Sequence, residues 1–110
     1  MQSWRVCIKE PFQNCEHVYP IQQSRVKELI RILGNDENVK RMLVFGSSVT
    51  DNCHIDSDVD VYVELVEDKT CSIREFVDFA YDLWTNYNVD SRLKNEILKT
   101  GVPVYERNIT

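Results

Sequence analysis

Two pairs of residues in the middle of the chain have the types and spacing for phosphate and metal chemistry. Gly46 and Ser47 follow an apolar run, and ten residues later Asp58 and Asp60 open a second one. On a strand, residues i and i+2 project from the same face with their Cα atoms about 7 Å apart, so the two carboxylates can converge on one ion. Oxygen ligands of this kind suit Mg²⁺ or Mn²⁺ rather than zinc or copper. The pair therefore predicts a divalent-cation site.

The glycine-serine turn can supply the other half of such a site. Gly46 lets the backbone approach a ligand, and a short helix beginning near Ser47 or Ser48 would aim free N–H groups at phosphate oxygens. Gly46, Ser47 and Ser48 are therefore candidate nucleotide-binding residues. Taken alone, a Gly-Ser after a strand is usually just a turn. Beside two carboxylates it favours phosphoryl transfer, which depends mainly on positioning and charge neutralisation.

Hydrophobic periodicity predicts the elements that position these residues. A helix is expected over residues 20–33, with Pro20 in its first turn and Gly34 after its end. The apolar run 42–45 predicts a buried strand, and the alternation over 58–66 predicts a second strand. The Gly-Ser turn and the two aspartates would then lie at neighbouring strand ends.

A long helix is predicted next. Ser72 and Glu75 match a helix-capping box. The apolar residues behind it recur at helical spacing: Ile73, Phe76, Val77, Ala80, Leu83, Trp84 and Tyr87.

The remainder of the chain predicts three short elements. Val89 and Asp90 indicate a strand end, residues 93–98 a short helix stopped by Gly101, and residues 102–105 a strand in which Pro103 favours an edge position. The whole pattern predicts an α+β fold, with a small mixed β-sheet and helices packed on one face. We expect one domain over residues 1–110, with its core at about residues 20–106.

Composition narrows the class of protein. The net charge of −5 argues against direct nucleic-acid binding, which needs clustered lysine and arginine. No apolar run is long enough to span a membrane and no signal peptide opens the chain, so a cytoplasmic location is expected. The four cysteines lack the spacing of a zinc site and are expected to be reduced thiols.

The spacing Gly46-Ser47, ten residues, Asp58-Val59-Asp60 resembles the signature of the DNA polymerase beta-like nucleotidyltransferase superfamily. In length the chain resembles the minimal nucleotidyltransferases of that superfamily, and the similarity runs from about residue 20 to residue 106. In that family a third aspartate on a later strand completes the site, and Asp90 is predicted to be its counterpart. The resemblance implies that Asp58, Asp60 and Asp90 are catalytic and hold Mg²⁺ or Mn²⁺, with ATP or another nucleoside triphosphate as substrate.

The chain departs from that family in the loop after the turn. Where many relatives carry arginine and glycine, it has Thr50 and Asp51, so a cation that would offset triphosphate charge is replaced. This departure predicts weaker nucleotide binding. Arg92 and Lys94 either compensate or form the solvated face of a short helix.

The resemblance also implies an acceptor and a partner. Relatives of this size transfer AMP from ATP to a hydroxyl on a partner protein, such as a HEPN-domain toxin that they silence as antitoxins. Two other functions stay open. The chain can be a degenerate, non-catalytic binding or antitoxin module, which Thr50 and Asp51 favour. It can also be a homodimeric nucleotidyltransferase that modifies a small molecule in a pocket between subunits.

Overall fold

The computed structural model describes residues 2–71, 73 and 75–107, which form a mixed sheet with two helices. In chain order the elements are a 3₁₀ turn Cys15–His17, α1 (Pro20–Leu33), β1 (Val39–Phe45), a 3₁₀ turn Gly46–Val49, β2 (Val59–Leu65), β3 (Tyr81–Thr85), α2 (Ser91–Thr100) and β4 (Val102–Glu106). The strand order is β3-β2-β1-β4, with β1 antiparallel to β2 and β4, and β2 parallel to β3. The predicted α+β class and mixed sheet are confirmed, as are α1, β1, β2, α2 and the edge strand β4.

The two helices lie on opposite faces of the sheet, which corrects the prediction that helices pack on one face. Leu29 of α1 packs with Val61 of β2 in one buried cluster. Ile97 of α2 packs with Phe45 and Tyr62 in a second cluster. Because successive side chains of a strand point to opposite faces, these clusters cover the two sides of one sheet. Phe45 and Tyr62 give the second face an apolar centre, which α2 covers.

The predicted long helix is wrong. Residues 73 and 75–80 form no regular element, and residues 81–85 form β3. The predicted cap at Ser72 lies outside the described residues. In β3, Leu83 packs toward the α1 side of the sheet, whereas Trp84 lies on the other side with its ring centroid 5.5 Å from that of Phe45. A strand here gives β2 a hydrogen-bonded neighbour, which a helix could not do.

The described cysteines agree with the prediction of reduced thiols, since Cys7, Cys15, Cys53 and Cys71 are all free. Over the same residues, neither helix has the length and apolar character needed to cross a membrane.

Candidate active site

The turn that follows β1 packs its backbone directly against an acidic side chain. Residues Gly46–Val49 form the short 3₁₀ turn, so the predicted short helix is confirmed. Gly46 has a φ of +72°, and a Cβ at this position would overlap the carboxylate of Asp60. Glycine is therefore needed here twice, for the backbone angle and for the close approach. The result is a backbone surface adjoining Asp60, which is what a phosphate-binding turn beside a metal site needs.

The serines of this turn differ in their access to a ligand. Ser47 is half-buried, whereas Ser48 is fully buried and its hydroxyl has no hydrogen-bond partner among the described residues. The Ser48 carbonyl accepts a hydrogen bond from the backbone N–H of Tyr19 at 2.8 Å, which ties the turn to the start of α1. In this conformation the Ser48 hydroxyl is closed to a nucleotide, and Ser47 keeps the accessible side chain.

Thr50, one of the two departures noted in the sequence, has a structural role in the turn. Its hydroxyl donates to the Ser47 carbonyl at 3.2 Å, and its backbone N–H donates to the same oxygen at 3.1 Å. Thr50 therefore closes the turn, as Ser and Thr side chains often do. Asp51, the other departure, is exposed.

The loop before β2 is held by the first turns of α1. The fully buried Gln22 donates its side-chain amide to the Ser57 carbonyl at 3.0 Å. Arg25 donates to the Ile55 carbonyl at 3.2 Å and to the side-chain carbonyl of Gln22 at 3.0 Å. These contacts fix the chain just before Asp58, because buried amides keep their hydrogen bonds. The strand entrance is thereby positioned relative to the glycine-serine turn.

Strand register brings a third carboxylate to this entrance. Asp60 pairs with Phe45 on one side and with Asp82 of β3 on the other. Asp58 lies two residues earlier, just before β2 begins. Asp60 is half-buried, whereas Asp58 and Asp82 are exposed. The site therefore has a sheltered carboxylate between two that solvent and ligands can reach.

The three carboxylates are electrostatically incomplete. Burial, then the neighbouring charges of Asp82 and Asp58, raise the pKa of Asp60 from 3.8 to about 6. Among the described residues, no lysine or arginine comes within 4 Å of these three carboxylates. A cation is the natural complement of such a group.

The oxygen donors of the site fit a hard divalent cation, although they do not yet form a closed cage. Over residues 2–71, 73 and 75–107, no three acidic, histidine or cysteine side chains already converge as a full ligand set. Mg²⁺ needs no such set, because it typically takes one or two carboxylates and fills its octahedron with waters and substrate phosphates. Asp60 and Asp82, which pair across β2 and β3, could supply such carboxylates.

Asp90, the predicted third aspartate, lies elsewhere in the fold. It is not on a strand, as was predicted, but is the N-cap of α2, where its carboxylate accepts a hydrogen bond from the Leu93 N–H at 2.8 Å. Asp90 comes after Thr85, the last residue of β3, which pairs with Val63 near the end of β2. Asp82 lies on β3 itself, three residues before Thr85. Sequence reasoning missed Asp82 because it was assigned to a helix. The signal was present in the alternation Tyr81-Asp82-Leu83-Trp84-Thr85.

Tyr62 projects from the same strand face as Asp60, two residues away, so its burial decides whether it could contact a ligand there. Tyr62 is 1% exposed in the cluster under α2, so it packs in the core and does not stack on a nucleotide. Arg92 and Lys94 are exposed on α2. Exposure is common to both alternatives for these two residues, so both stay predictions.

Replacing Gly46 by alanine is expected to lower the free energy of unfolding by about 1–3 kcal/mol, because it adds strain at positive φ to a clash with Asp60. Urea denaturation measures the loss. The matched control is Ser47→Ala, which changes the next residue without either problem and should stay within about 0.5 kcal/mol of the wild type. Equal stability of the two variants would contradict the close packing of Gly46 on Asp60.

Comparisons with known proteins bear on the family and the fold of the chain. Residues 27–110 match the family model described as polymerase beta, nucleotidyltransferase. Among solved structures, one described as "Crystal structure of the toxin-antitoxin with AMP-PNP" is 18% identical in sequence and superposes with a TM-score of 0.60, over 76% of this chain and 73% of that one. At this identity the likeness shows a shared fold. Comparison with curated proteins gives no match.

Proposed function

We propose that this chain, which belongs to the polymerase beta nucleotidyltransferase family, is a metal-dependent enzyme that transfers AMP from ATP to a hydroxyl group of a partner protein. The observation that carries the proposal is the register that sets Asp60 beside Asp82 and against the Gly46 turn. A cation-binding pair next to exposed backbone is the minimum that nucleotidyl transfer requires.

Each residue of the site then has a distinct task. Asp60 and Asp82 would hold Mg²⁺ or Mn²⁺, with Asp58 as an additional ligand, and the bound ion would neutralise charge on the triphosphate. The backbone at Gly46 and Ser47 would hold the phosphates. The acceptor oxygen attacks the α-phosphorus, the bond from that phosphorus to the bridging oxygen breaks, and pyrophosphate leaves. We assign the acceptor proton to Asp82, which is exposed to an incoming hydroxyl, and not to Asp90, whose carboxylate caps α2.

A protein acceptor is supported by the fold comparison. The similar structure is described as a toxin-antitoxin with AMP-PNP, an ATP analogue. We infer that this chain acts in the cytoplasm as an antitoxin, and that its acceptor is a HEPN-domain toxin whose activity AMP transfer would silence.

The proposal is tested in two stages with the purified chain. Calorimetric titration of AMP-PNP should give binding that needs Mg²⁺ and is lost in an Asp60→Asn, Asp82→Asn double variant. Radiolabelled ATP carrying ³²P at the α-phosphate should then label a HEPN-domain protein from the same source when the chain and Mg²⁺ are present. A stable complex of the two proteins without label transfer would instead establish the non-catalytic antitoxin.

A further inference from the structure

A cavity of about 760 Å³ lies between α2 and the end of the sheet remote from the glycine-serine turn. Its lining includes Lys40, Arg41, Glu64, Tyr87, Lys94 and Leu98. Glu64 is four residues further along β2 than Asp60, and the buried Tyr62 lies between them on the same face. The cavity is thus separate from the three aspartates and has the size of a small-molecule site.

A β-bulge concentrates positive charge in this cavity. Val39 pairs with Leu65 while Arg41 pairs with Glu64, so β1 has one extra residue, Lys40, at this point. Bulges of this kind redirect a side chain that would otherwise point to the opposite face. Here Lys40 and Arg41 both reach the same carboxylate, with nitrogen-to-oxygen distances to Glu64 of 3.7 and 3.3 Å.

The positive groups of this cavity outnumber its acidic ones. Lys40, Arg41 and Lys94 face a single acidic residue, Glu64, a surplus of two positive charges in a chain whose net charge is −5. Lys94 has no acidic partner within 4 Å among the described residues. The Nε of Arg41 is buried with no hydrogen-bond partner in the same part of the chain.

We propose that this cavity binds an organic phosphate monoester of about nucleoside monophosphate size. A phosphate monoester carries about −1.5 to −2 charges at pH 7, which matches the surplus, whereas one carboxylate would leave a positive charge unbalanced. Tyr87 and Leu98, which are 47% and 51% exposed, provide apolar contact for a base or another flat group. Binding here needs no metal ion and does not depend on the proposed nucleotidyl transfer.

Nuclear magnetic resonance titration of AMP into the full chain tests this assignment, with EDTA present so that no divalent ion supports binding at the aspartates. We expect saturable shifts of the backbone amides of Asn86, Tyr87 and Lys94, and affinity at least about tenfold above that of adenosine or inorganic phosphate. Lys94→Gln should weaken binding about tenfold, since it removes one charge-assisted contact. The matched control is Lys99→Gln on the same helix, outside the cavity lining, which should bind like the wild type.

Arg41→Gln is a second test variant. Circular dichroism checks that it folds, and it too should weaken AMP binding. The proposal is overturned if AMP shifts no amide of the cavity, if adenosine binds as tightly as AMP, or if Lys94→Gln and Lys99→Gln behave alike. Shifts of these amides by a glutamate-rich peptide but not by AMP would also overturn it, in favour of a protein contact.

Discussion

Replacing Asp82 by asparagine is expected to slow nucleotidyl transfer by about a hundredfold to a thousandfold, the range observed when one transition-state stabilising group is removed. Asparagine keeps the shape of the side chain, and position 82 is exposed on an edge strand, so the fold should survive. The charge that would help to hold the metal ion and receive the acceptor proton is lost. Pyrophosphate release at saturating ATP and Mg²⁺, with the HEPN-domain acceptor protein present, measures the effect.

Asp90→Asn is the matched control for this result. Asparagine caps helices about as well as aspartate, so the hydrogen bond from the Leu93 N–H is retained while the charge at position 90 is removed. We expect transfer within about twofold of the wild type, because a surface change that keeps its cap has little effect. A large loss at Asp90 with little loss at Asp82 would restore Asp90 as the third carboxylate and contradict the register argument.

Most elements of the fold could be predicted from the sequence because their patterns have one structural solution. The valines at 59, 61 and 63 alternate, and alternation over that length fits only a strand. Pro20 and Gly34 bracket α1 at the positions where they favour a helix start and stop. The hydrophobic pattern of residues 73–87 fits more than one structure. Leu83 and Trp84 fit one helical stripe, but as strand neighbours they serve opposite faces of the sheet.

That ambiguity determined how much of the site could be predicted. Asp58, Asp60 and Gly46 are close in sequence and belong to two adjacent elements, so their proximity followed from spacing. The neighbour of Asp60 on its other side depends on the parallel pairing of β2 with β3, which is a long-range contact. Once residue 82 was assigned to a helix, the third carboxylate could only be sought further along the chain, at Asp90. The proposal of Asp82 in place of Asp90 therefore follows directly from the corrected assignment of residues 81–85 to a strand.

Replacing Asp60 by asparagine is expected to abolish Mg²⁺-dependent nucleotide binding and, at pH 7.5, to stabilise the metal-free fold. Burial and two neighbouring carboxylates raise the pKa of Asp60 to about 6, so folding works against its negative charge at neutral pH. The difference between pKa values of 3.8 and about 6 corresponds to about 3 kcal/mol at most, and partial exposure reduces this to about 1–2 kcal/mol. Urea denaturation of the two proteins in EDTA measures the difference.

The pH dependence of the stability difference between Asp60→Asn and the wild type identifies the cause of that difference. A carboxyl whose pKa is raised in the folded state binds its proton more tightly there than in the unfolded state. The contribution of Asp60 to wild-type stability is therefore fully present below about pH 4 and is lost as the pH rises through about 6. The advantage of Asp60→Asn should therefore be near zero at pH 4 and reach its maximum above pH 7. Glu96→Gln, an exposed neutralisation on α2, is the control and should show no such trend. A variant less stable than the wild type at pH 7.5 would contradict the electrostatic argument.

Added Mg²⁺ should reverse the order of stability. An ion that binds only the folded wild type stabilises it by RT ln(1 + [L]/Kd), about 2.7 kcal/mol at a hundred times Kd, whereas the variant lacks a ligand and gains little. Without the ion, the negative charge of Asp60 lowers the free energy of unfolding. With the ion bound, the same charge raises it. If Mg²⁺ stabilises both proteins equally, the ion binds elsewhere, and the assignment of the carboxylates as its ligands is wrong.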